Sequence, residues 1–265
     1  MFVATAALAA YHQMFWRQVD VRNLVVHNTK HAATYARNVP EINQMVLRSC
    51  DRVQSTAPDG GGYFIGVKAV PPESPVGYAA SFDGWNMLCP PRSTSYCSGS
   101  SYAAFLETLS LYHAVHPLTL RPSQEEALRM QELDGSRRED KVKFWGWWNA
   151  DGPGCYYAMC SFTSIGTRIS PALARAGDFM NIDWKSGLGH SVVFLGWGKD
   201  KTGNPGVLFW SSQTGTNGFG DMFATLDRIS GVVVVRLTNP EKLGGMKPFK
   251  PVETKVVPDR LDASQ

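Results

Sequence analysis

A cysteine at the start of a helix pattern is the clearest candidate for chemistry in this sequence. Cys97 comes directly before an apolar stripe with helical spacing, which consists of Tyr102, Phe105, Leu106, Leu109 and Tyr112. Free backbone N–H groups and the dipole at a helix N-terminus stabilise an anion, so this position predicts a thiol with a lowered pKa. The alternative is a buried structural cysteine or half of a disulfide.

The residues around Cys97 suit attack on a carbonyl group. Ser98, Gly99 and Ser100 are small and leave room for a substrate. The backbone N–H of Cys97 could donate to the oxyanion that forms during acyl transfer, with Ser95 or Tyr96 close by. We therefore treat Ser95 and Tyr96 as candidates for the oxyanion and substrate site.

His190 is the best candidate for the base that a nucleophilic thiol requires. It follows the glycine-rich segment 186–189 and opens an apolar run that predicts a central strand. A histidine at the mouth of such a strand can face a cleft while its neighbours hold it rigid. The alternative is a structural histidine. The other five histidines lie in the N-terminal helical region or at a helix end, where a cation suits the dipole.

A third polar group is expected to orient the imidazole. The turn-rich segment 200–206 predicts an antiparallel hairpin, in which Trp197 pairs with about Val207. His190 then lies opposite residues 213–214, and the Gln213 amide can both donate and accept hydrogen bonds. A register error of one residue would favour Ser212 instead. Asn217, in the following loop, is a further candidate.

Other catalytic chemistries lack their motifs. The sequence has no nucleophile elbow, no His-Glu-x-x-His zinc motif, no Walker motif and no glycine-rich dinucleotide fingerprint. Cys155 and Cys160 are five apart, which does not match zinc-finger spacing and predicts a local disulfide or two buried thiols. If Cys50 also pairs with Cys89, Cys97 is left as a thiol, although five cysteines allow several pairings. We expect neither a metal nor a cofactor.

Composition excludes several classes of protein. The chain has 265 residues, a formal net charge of +3 and 43% hydrophobic residues. This apolar content is too high for a disordered chain, and the charge is too low for a dedicated nucleic-acid binder. No apolar run is long enough to span a membrane. Residues 2–10 resemble the end of a signal peptide or a first helix, and together with eight tryptophans they indicate a secreted, periplasmic or cell-envelope protein.

The order of the expected elements predicts an α+β fold, with helices first and an antiparallel meander after them. Residues 1–56 have helical patterns, with a helix start at Pro40 and Glu41. Further helices are predicted from Ser123, as a capping box, and over 156–165. Strands are predicted at 63–67, 177–182, 191–197, 207–213 and 232–237. The expected organisation is a helical extension over 1–60, a catalytic domain over 61–240 and an extended tail over 241–265.

Three segments in order resemble the NlpC/P60 cysteine peptidases. They are Cys97-Ser98-Gly99 before a helix, Ala176-Gly177-Asp178-Phe179, and the strand 189–196 that begins Gly-His-Ser-Val. The last two are similar to the family's Pro-Gly-Asp-Leu segment and histidine strand. The segments also resemble the related CHAP amidases. The resemblance implies a papain-like core, in which the nucleophile helix packs on an antiparallel sheet.

The resemblance also implies a reaction and roles for three residues. The family cleaves amide bonds, typically in peptidoglycan stem peptides, through a thioester. By position, Cys97 would be the nucleophile, His190 the base and Gln213 the orienting residue. The chain departs from the family in three ways, which are the residue before Cys97, the third catalytic residue and the spacing between Cys97 and His190. Tyr96 stands where the family usually has Asp, and Gln213 is not the commonest third residue. The 92 residues between Cys97 and His190 also suggest an insertion over 117–154.

The function expected from the sequence is thiol-dependent hydrolysis of amide bonds in peptidoglycan or other peptides. Tryptophans could stack on such a substrate, and the candidates are Trp85, Trp145, Trp147, Trp148 and Trp210. Core packing is the alternative for at least half of them. Two other functions stay open. One is an acyltransferase or transglutaminase-like enzyme with the same Cys–His pair, and the other is a non-enzymatic wall-binding module whose Cys97 is disulfide-bonded. The oligomeric state is not predicted.

Overall fold

The computed structural model describes residues 21–64, 76–87, 94–129, 155–246 and 256–261. Four α-helices are present in these segments: α1 (His31–Tyr35), α2 (Glu41–Ser55), α3 (Cys97–Val115) and α4 (Pro122–Leu128). A π-helical turn follows over Tyr156–Phe162. Within the described part of the chain, no helix is long and apolar enough to cross a membrane.

In the described residues, eight strands form two antiparallel sheets. Strands β1 (Ser81–Phe82) and β2 (Trp85–Asn86) make a small hairpin. The main sheet contains β3 (Gly166–Ile169), β4 (Phe179–Trp184), β5 (Gly189–Lys199), β6 (Pro205–Gln213), β7 (Gly218–Thr225) and β8 (Ile229–Leu237). Its order is β3-β8-β4-β5-β6-β7. Strands β4 to β7 form the predicted meander, and β8 returns to pair with β4.

Helix α2 begins where the sequence predicted, with Pro40 as its N-cap and Glu41 in its first turn. A proline needs no hydrogen bond for its nitrogen there, and an acidic residue complements the helix dipole. Its buried stripe, which includes Leu47, Cys50 and Val53, belongs to the same core as α3. The N-terminal helices therefore share the core of the sheet.

Both faces of the main sheet are buried. On β5, Val193 belongs to the core that contains α2 and α3, whereas Val192 and Phe194 belong to a second core on the opposite face. Because side chains alternate along a strand, this division gives the face of every neighbouring residue. The prediction that this strand is central, with apolar residues on both faces, is confirmed.

The α+β class is confirmed, and several boundaries differ from prediction. Helix α4 starts at Pro122, ahead of the predicted cap at Ser123, and the Gln124 side chain accepts a hydrogen bond from the Arg121 backbone N–H. Strands β3 and β7 and the β1–β2 hairpin were not predicted, because glycines and short length weaken their pattern. The predicted signal-like segment, most of the predicted insertion and most of the tail lie outside the described residues.

Candidate functional site

Strands β5 and β6 part at one end of the sheet. β5 begins at Gly189 and β6 ends at Gln213, but their paired register stops at Val193 and Trp210. Further along the hairpin, Trp197 pairs with Val207 as predicted. The first residues of β5 and the last residues of β6 therefore form a gap instead of a continuous ladder.

The first turn of α3 fills this gap. The Ser100 hydroxyl accepts a hydrogen bond from the Ser212 backbone N–H at 3.1 Å and donates to the Cys97 carbonyl at 2.7 Å. Across the gap, the Ser211 hydroxyl donates to the Ser191 carbonyl at 2.7 Å. Side-chain hydroxyls thus replace the backbone partners that a continuous sheet would supply, and they fix the start of α3 between the two strands.

Cys97 lies at the N-terminus of α3 with 7% of its surface exposed. Burial raises the pKa of its thiol above the ordinary value, while the backbone N–H groups of Ser191, Ser98 and Cys97 itself act in the opposite direction. The predicted lowering of the thiol pKa is therefore wrong. Desolvation of the closed site outweighs the hydrogen bonds at the helix end.

His190 and Gln213 meet across the same gap. The His190 Nε2 and the Gln213 Oε1 are 3.2 Å apart. The Gln213 amide nitrogen donates to the Thr216 hydroxyl at 2.6 Å and to the Gly220 carbonyl at 3.2 Å, which turns its oxygen towards the imidazole. An amide oxygen only accepts hydrogen bonds, so the Nε2 of His190 carries the proton and Nδ1 is the basic nitrogen.

The imidazole of His190 is neutral at physiological pH. Burial lowers its pKa from 6.5 to about 4, and the hydrogen bond with Gln213 opposes this shift. The ring packs between aromatic side chains, with centroids 6.0 Å from Trp184 and 5.6 Å from Phe209. A neutral imidazole can accept a proton, which is what a general base must do.

The His190 ring lies on the face of β5 opposite α3. Ile182 pairs with His190 and belongs to the second core, whereas the Ser191 hydroxyl donates to Ser101 on α3. Cys97 reaches the strand at the Ser191 amide, one residue further along. The structure therefore brings His190 and Gln213 into contact and places Cys97 at the next residue of β5, with the thiol on the helix side of the sheet and the imidazole on the other side.

Trp184 is a neighbour of the site that the sequence analysis missed. It stands at the end of β4, on the same face as His190, and the Arg228 guanidinium lies 5.7 Å from its ring centroid. The alternation of side chains along β4 could have indicated that Trp184 shares a face with His190. That inference requires the pairing of β4 with β5, which the sequence did not provide.

Ser95 and Tyr96 form the approach to α3. The Ser95 N–H donates to the Gly62 carbonyl at 3.2 Å, and its hydroxyl shares a hydrogen bond with the Ser212 hydroxyl at 2.6 Å. Both groups of Ser95 therefore already take part in hydrogen bonds, and a role for Ser95 at the oxyanion stays a prediction. Tyr96 is the N-cap residue of α3, with an extended backbone and a buried side chain.

The two described tryptophans predicted to bind substrate lie elsewhere. Trp210 is fully buried, stacks on Phe219 at 5.6 Å and donates from its indole nitrogen to Gln54 at 2.9 Å, so it is a core residue. Trp85 pairs with Phe82, whose ring packs on His113 near the end of α3. That end lies roughly 24 Å along the helix from Cys97. Trp145, Trp147 and Trp148 lie outside the described residues.

A cavity of about 170 Å³ lies beside the approach to α3. Its lining residues are Thr56, Ala57, Pro58, Asp59, Gly60, Gly61, Gly77, Tyr78, Thr94, Ser95 and Phe219. The segment 56–61 follows α2, and Phe219 comes from β7. The cavity is therefore on the helix side of the sheet, opposite the His190 ring.

The described cysteines are thiols and not disulfides. They are Cys50, Cys97, Cys155 and Cys160, so Cys97 is not in a disulfide, and of the two alternatives for Cys155 and Cys160 the structure has the two thiols. Cys89, the suggested partner of Cys50, lies outside the described residues. Burial raises the pKa of Cys160 to about 12 and that of Cys155 further. Among the described residues, no group of three or more His, Cys, Asp or Glu side chains could hold a metal ion.

A second buried polar cluster joins the N-terminal segment to β7. His31 is fully buried, with Nδ1 2.7 Å from Asp51 Oδ1 and Nε2 2.8 Å from Asp221 Oδ1. Burial alone would lower the pKa of His31, but the hydrogen bonds and charges of Asp221 and Asp51 outweigh it and raise the pKa to about 9. The imidazolium is therefore charged at neutral pH, and it has the opposite protonation state to His190.

No family model, curated protein or solved structure matches the chain. The chemistry of the site is therefore argued from its own atoms.

Proposed function

We propose that the protein is a thiol-dependent amide hydrolase, with Cys97 as nucleophile, His190 as base and Gln213 as the residue that positions the imidazole. The observation that carries the proposal is the gap between β5 and β6. The thiol of Cys97 meets the Ser191 amide there, and the neighbouring His190 crosses the gap to Gln213. A nucleophile, a base and an orienting group are the parts that covalent amide hydrolysis requires.

In the first step, the sulfur of Cys97 attacks the amide carbonyl carbon and the thiol proton passes to Nδ1 of His190. The carbon–nitrogen bond then breaks, and the amine leaves with that proton, which gives a thioester on Cys97. Water attacks the thioester while Nδ1 takes a proton from it. The carbon–sulfur bond breaks, the carboxylic acid leaves and the proton returns to the thiolate.

The electrostatics of the gap favour proton transfer during attack over a preformed thiolate. Burial raises the pKa of the Cys97 thiol and lowers that of His190, so both groups are neutral before substrate binds. The backbone N–H groups of Ser98, Ser191 and Cys97 surround the sulfur. Donors in that position can also stabilise negative charge on the adjacent carbonyl oxygen as it develops.

Peptides, and in particular peptidoglycan stem peptides, are the substrates we propose. This choice rests on the resemblance of the segments around Cys97, Asp178 and His190 to the NlpC/P60 peptidases and on the papain-like arrangement that it implies. An enzyme with this substrate would act outside the cytoplasm or at the cell envelope.

The proposal is tested by product analysis. The protein is incubated with purified peptidoglycan and with a mixed peptide library, and new amine and carboxyl termini are identified by mass spectrometry. We expect cleavage by the wild type and by Cys160→Ser, which removes a partly exposed thiol on the π-helical turn. We expect no cleavage by Cys97→Ala and at least a hundredfold loss in His190→Ala.

A second measurement follows the nucleophile itself. Acid quenching during turnover should trap an acyl adduct on Cys97, and added glycinamide should not appear in the product. Incorporation of glycinamide would indicate the acyltransferase instead. Equal cleavage by wild type and Cys97→Ala, or substrate binding without cleavage in both proteins, would contradict the proposal.

A further inference from the structure

The cavity of about 170 Å³ has walls that suit an uncharged group. Tyr78 and Phe219 supply aromatic surface, and Ala57 and Pro58 supply aliphatic surface. Burial, followed by the charge of Glu107, raises the pKa of the Tyr78 phenol, which keeps it neutral. These walls would bind an apolar group by removing it from water.

Asp59 is the charged residue of the cavity lining, and its carboxylate is already engaged. Asp59 is exposed, and its Oδ1 accepts the Gly61 N–H at 3.1 Å. The carboxylate therefore holds the turn, and solvent screens its charge at the rim. A cationic side chain would lose its hydration in the cavity without gaining a buried partner.

The segment that leads into Cys97 forms one wall of the cavity. Ser95 lines it and pairs in parallel with Tyr63. Burial raises the pKa of the Tyr63 phenol to about 12, so Tyr63 is neutral, and Ser95 stands two residues before Cys97 in the chain. A substrate whose side chain enters the cavity would have its main chain beside residues 94–96, close to the nucleophile.

We propose that the cavity binds the aliphatic side chain of the residue that donates the scissile carbonyl, a proposal that rests on the function inferred above. A water molecule occupies about 30 Å³ of liquid, so the cavity of about 170 Å³ has room for the aliphatic carbons of a leucine or valine side chain. The acyl part enters from the helix side of the sheet, where the cavity lies. The leaving amine takes its proton from His190.

A matched series of alkylating probes tests the preference. N-acetyl-aminoacyl chloromethyl ketones with Gly, Ala, Val, Leu, Phe, Lys or Asp are reacted with the full chain, and adduct formation on Cys97 is followed by intact mass. The carbon–sulfur bond forms as chloride leaves, and the thiol proton passes to His190. We expect the Leu and Val probes to react about ten- to a hundredfold faster than the Gly probe, and the Lys and Asp probes no faster than it.

Two variants assign the preference to the cavity. Ala57→Leu places extra methyl groups in it and should reduce the ratio of the Leu rate to the Gly rate to about one. Val115→Leu, at an exposed position on α3, should keep the wild-type ratio. The ratio cancels any general change in the reactivity of the thiol.

A binding measurement separates failure of this inference from failure of the proposed function. N-acetyl-leucine methylamide is titrated into Cys97→Ala and into Cys97→Ala with Ala57→Leu, by ligand-observed NMR. Saturable binding that Ala57→Leu abolishes supports the cavity even if Cys97 proves unreactive. Two results would overturn the inference. One is that Cys97 reacts with no preference for the aliphatic probes, and the other is that N-acetyl-leucine methylamide binds no more strongly than N-acetylglycine methylamide.

Discussion

The cluster around His31 makes stability depend on pH in a way that can be worked out from the structure. The buried imidazolium lies between the carboxylates of Asp51 and Asp221, and its pKa rises from 6.5 to about 9. A folded-state pKa above the unfolded value means that the folded protein holds the proton more tightly. The resulting stabilisation is complete below pH 6.5 and is lost as the pH rises through 9.

The size of the effect follows from the shift. A difference of about 2.5 pKa units corresponds to roughly 3 kcal/mol of unfolding free energy at about 1.36 kcal/mol per unit. This is a large part of the net stability of a typical domain, which is about 5–15 kcal/mol. We therefore expect a marked loss of stability between pH 6 and pH 9.5 in the wild type.

The measurement is urea unfolding at intervals from pH 5.5 to pH 9.5, for the wild type, His31→Gln and His116→Gln. His116 is exposed at the end of α3 and serves as the matched control. The difference in free energy of unfolding between the wild type and His31→Gln should be about 3 kcal/mol larger at pH 6 than at pH 9.5. Asp221→Asn should also flatten the profile, and it provides a second variant if His31→Gln does not fold. A difference between wild type and His31→Gln that stays constant across this range would refute the reasoning.

Three further predictions concern the gap and the core. Because the pKa of His190 is lowered, the folded protein binds this proton less tightly than the unfolded chain. The free energy of unfolding should therefore fall by roughly 3 kcal/mol as the pH drops from 6.5 to about 4. Urea unfolding of His190→Gln should not show this dependence. Asp178→Asn should cost about 3–5 kcal/mol in the same assay, because it leaves the Arg236 guanidinium, now 2.7 Å from that carboxylate, without its charge partner. Ser100→Ala should lower kcat at least tenfold and destabilise by about 1–3 kcal/mol, because the Ser212 N–H loses its acceptor; an unchanged kcat would show that the hydroxyl does not position Cys97.

The sequence was sufficient for the features that local patterns determine. The turn at 200–206 sets the hairpin, so the pairing of Trp197 with Val207 and the position of Gln213 opposite His190 could be predicted. A register shift between Phe194 and Gly196 moves the pairing by one residue, which selects 213 over 214. The start of α3 at Cys97 was likewise visible in the apolar stripe that follows it.

The features that the sequence did not reveal depend on burial and on distant contacts. The direction of the Cys97 pKa shift depends on how completely the site is closed, and no local pattern encodes that. Trp210 was a candidate for the cleft because its buried hydrogen-bond partner, Gln54, lies more than 150 residues away in the chain and could not be predicted. His31 lies 190 residues from Asp221, so its role could not be inferred from spacing.

The same contacts connect the N-terminal segment to the candidate site. The Val26 carbonyl accepts the Asp221 N–H at 2.7 Å, and His31 holds the carboxylate of that residue, so the segment before α2 fixes this part of β7. The preceding residue, Gly220, presents its carbonyl to the amide of Gln213, which in turn orients His190. A loss of the His31 charge above pH 9 should therefore loosen the Gln213 amide before it affects Cys97. We expect kcat to fall as this cluster loses stability. Asp221→Asn should lower kcat and leave KM nearly unchanged, because the residues that line the substrate cavity stay in place while the base loses its orientation.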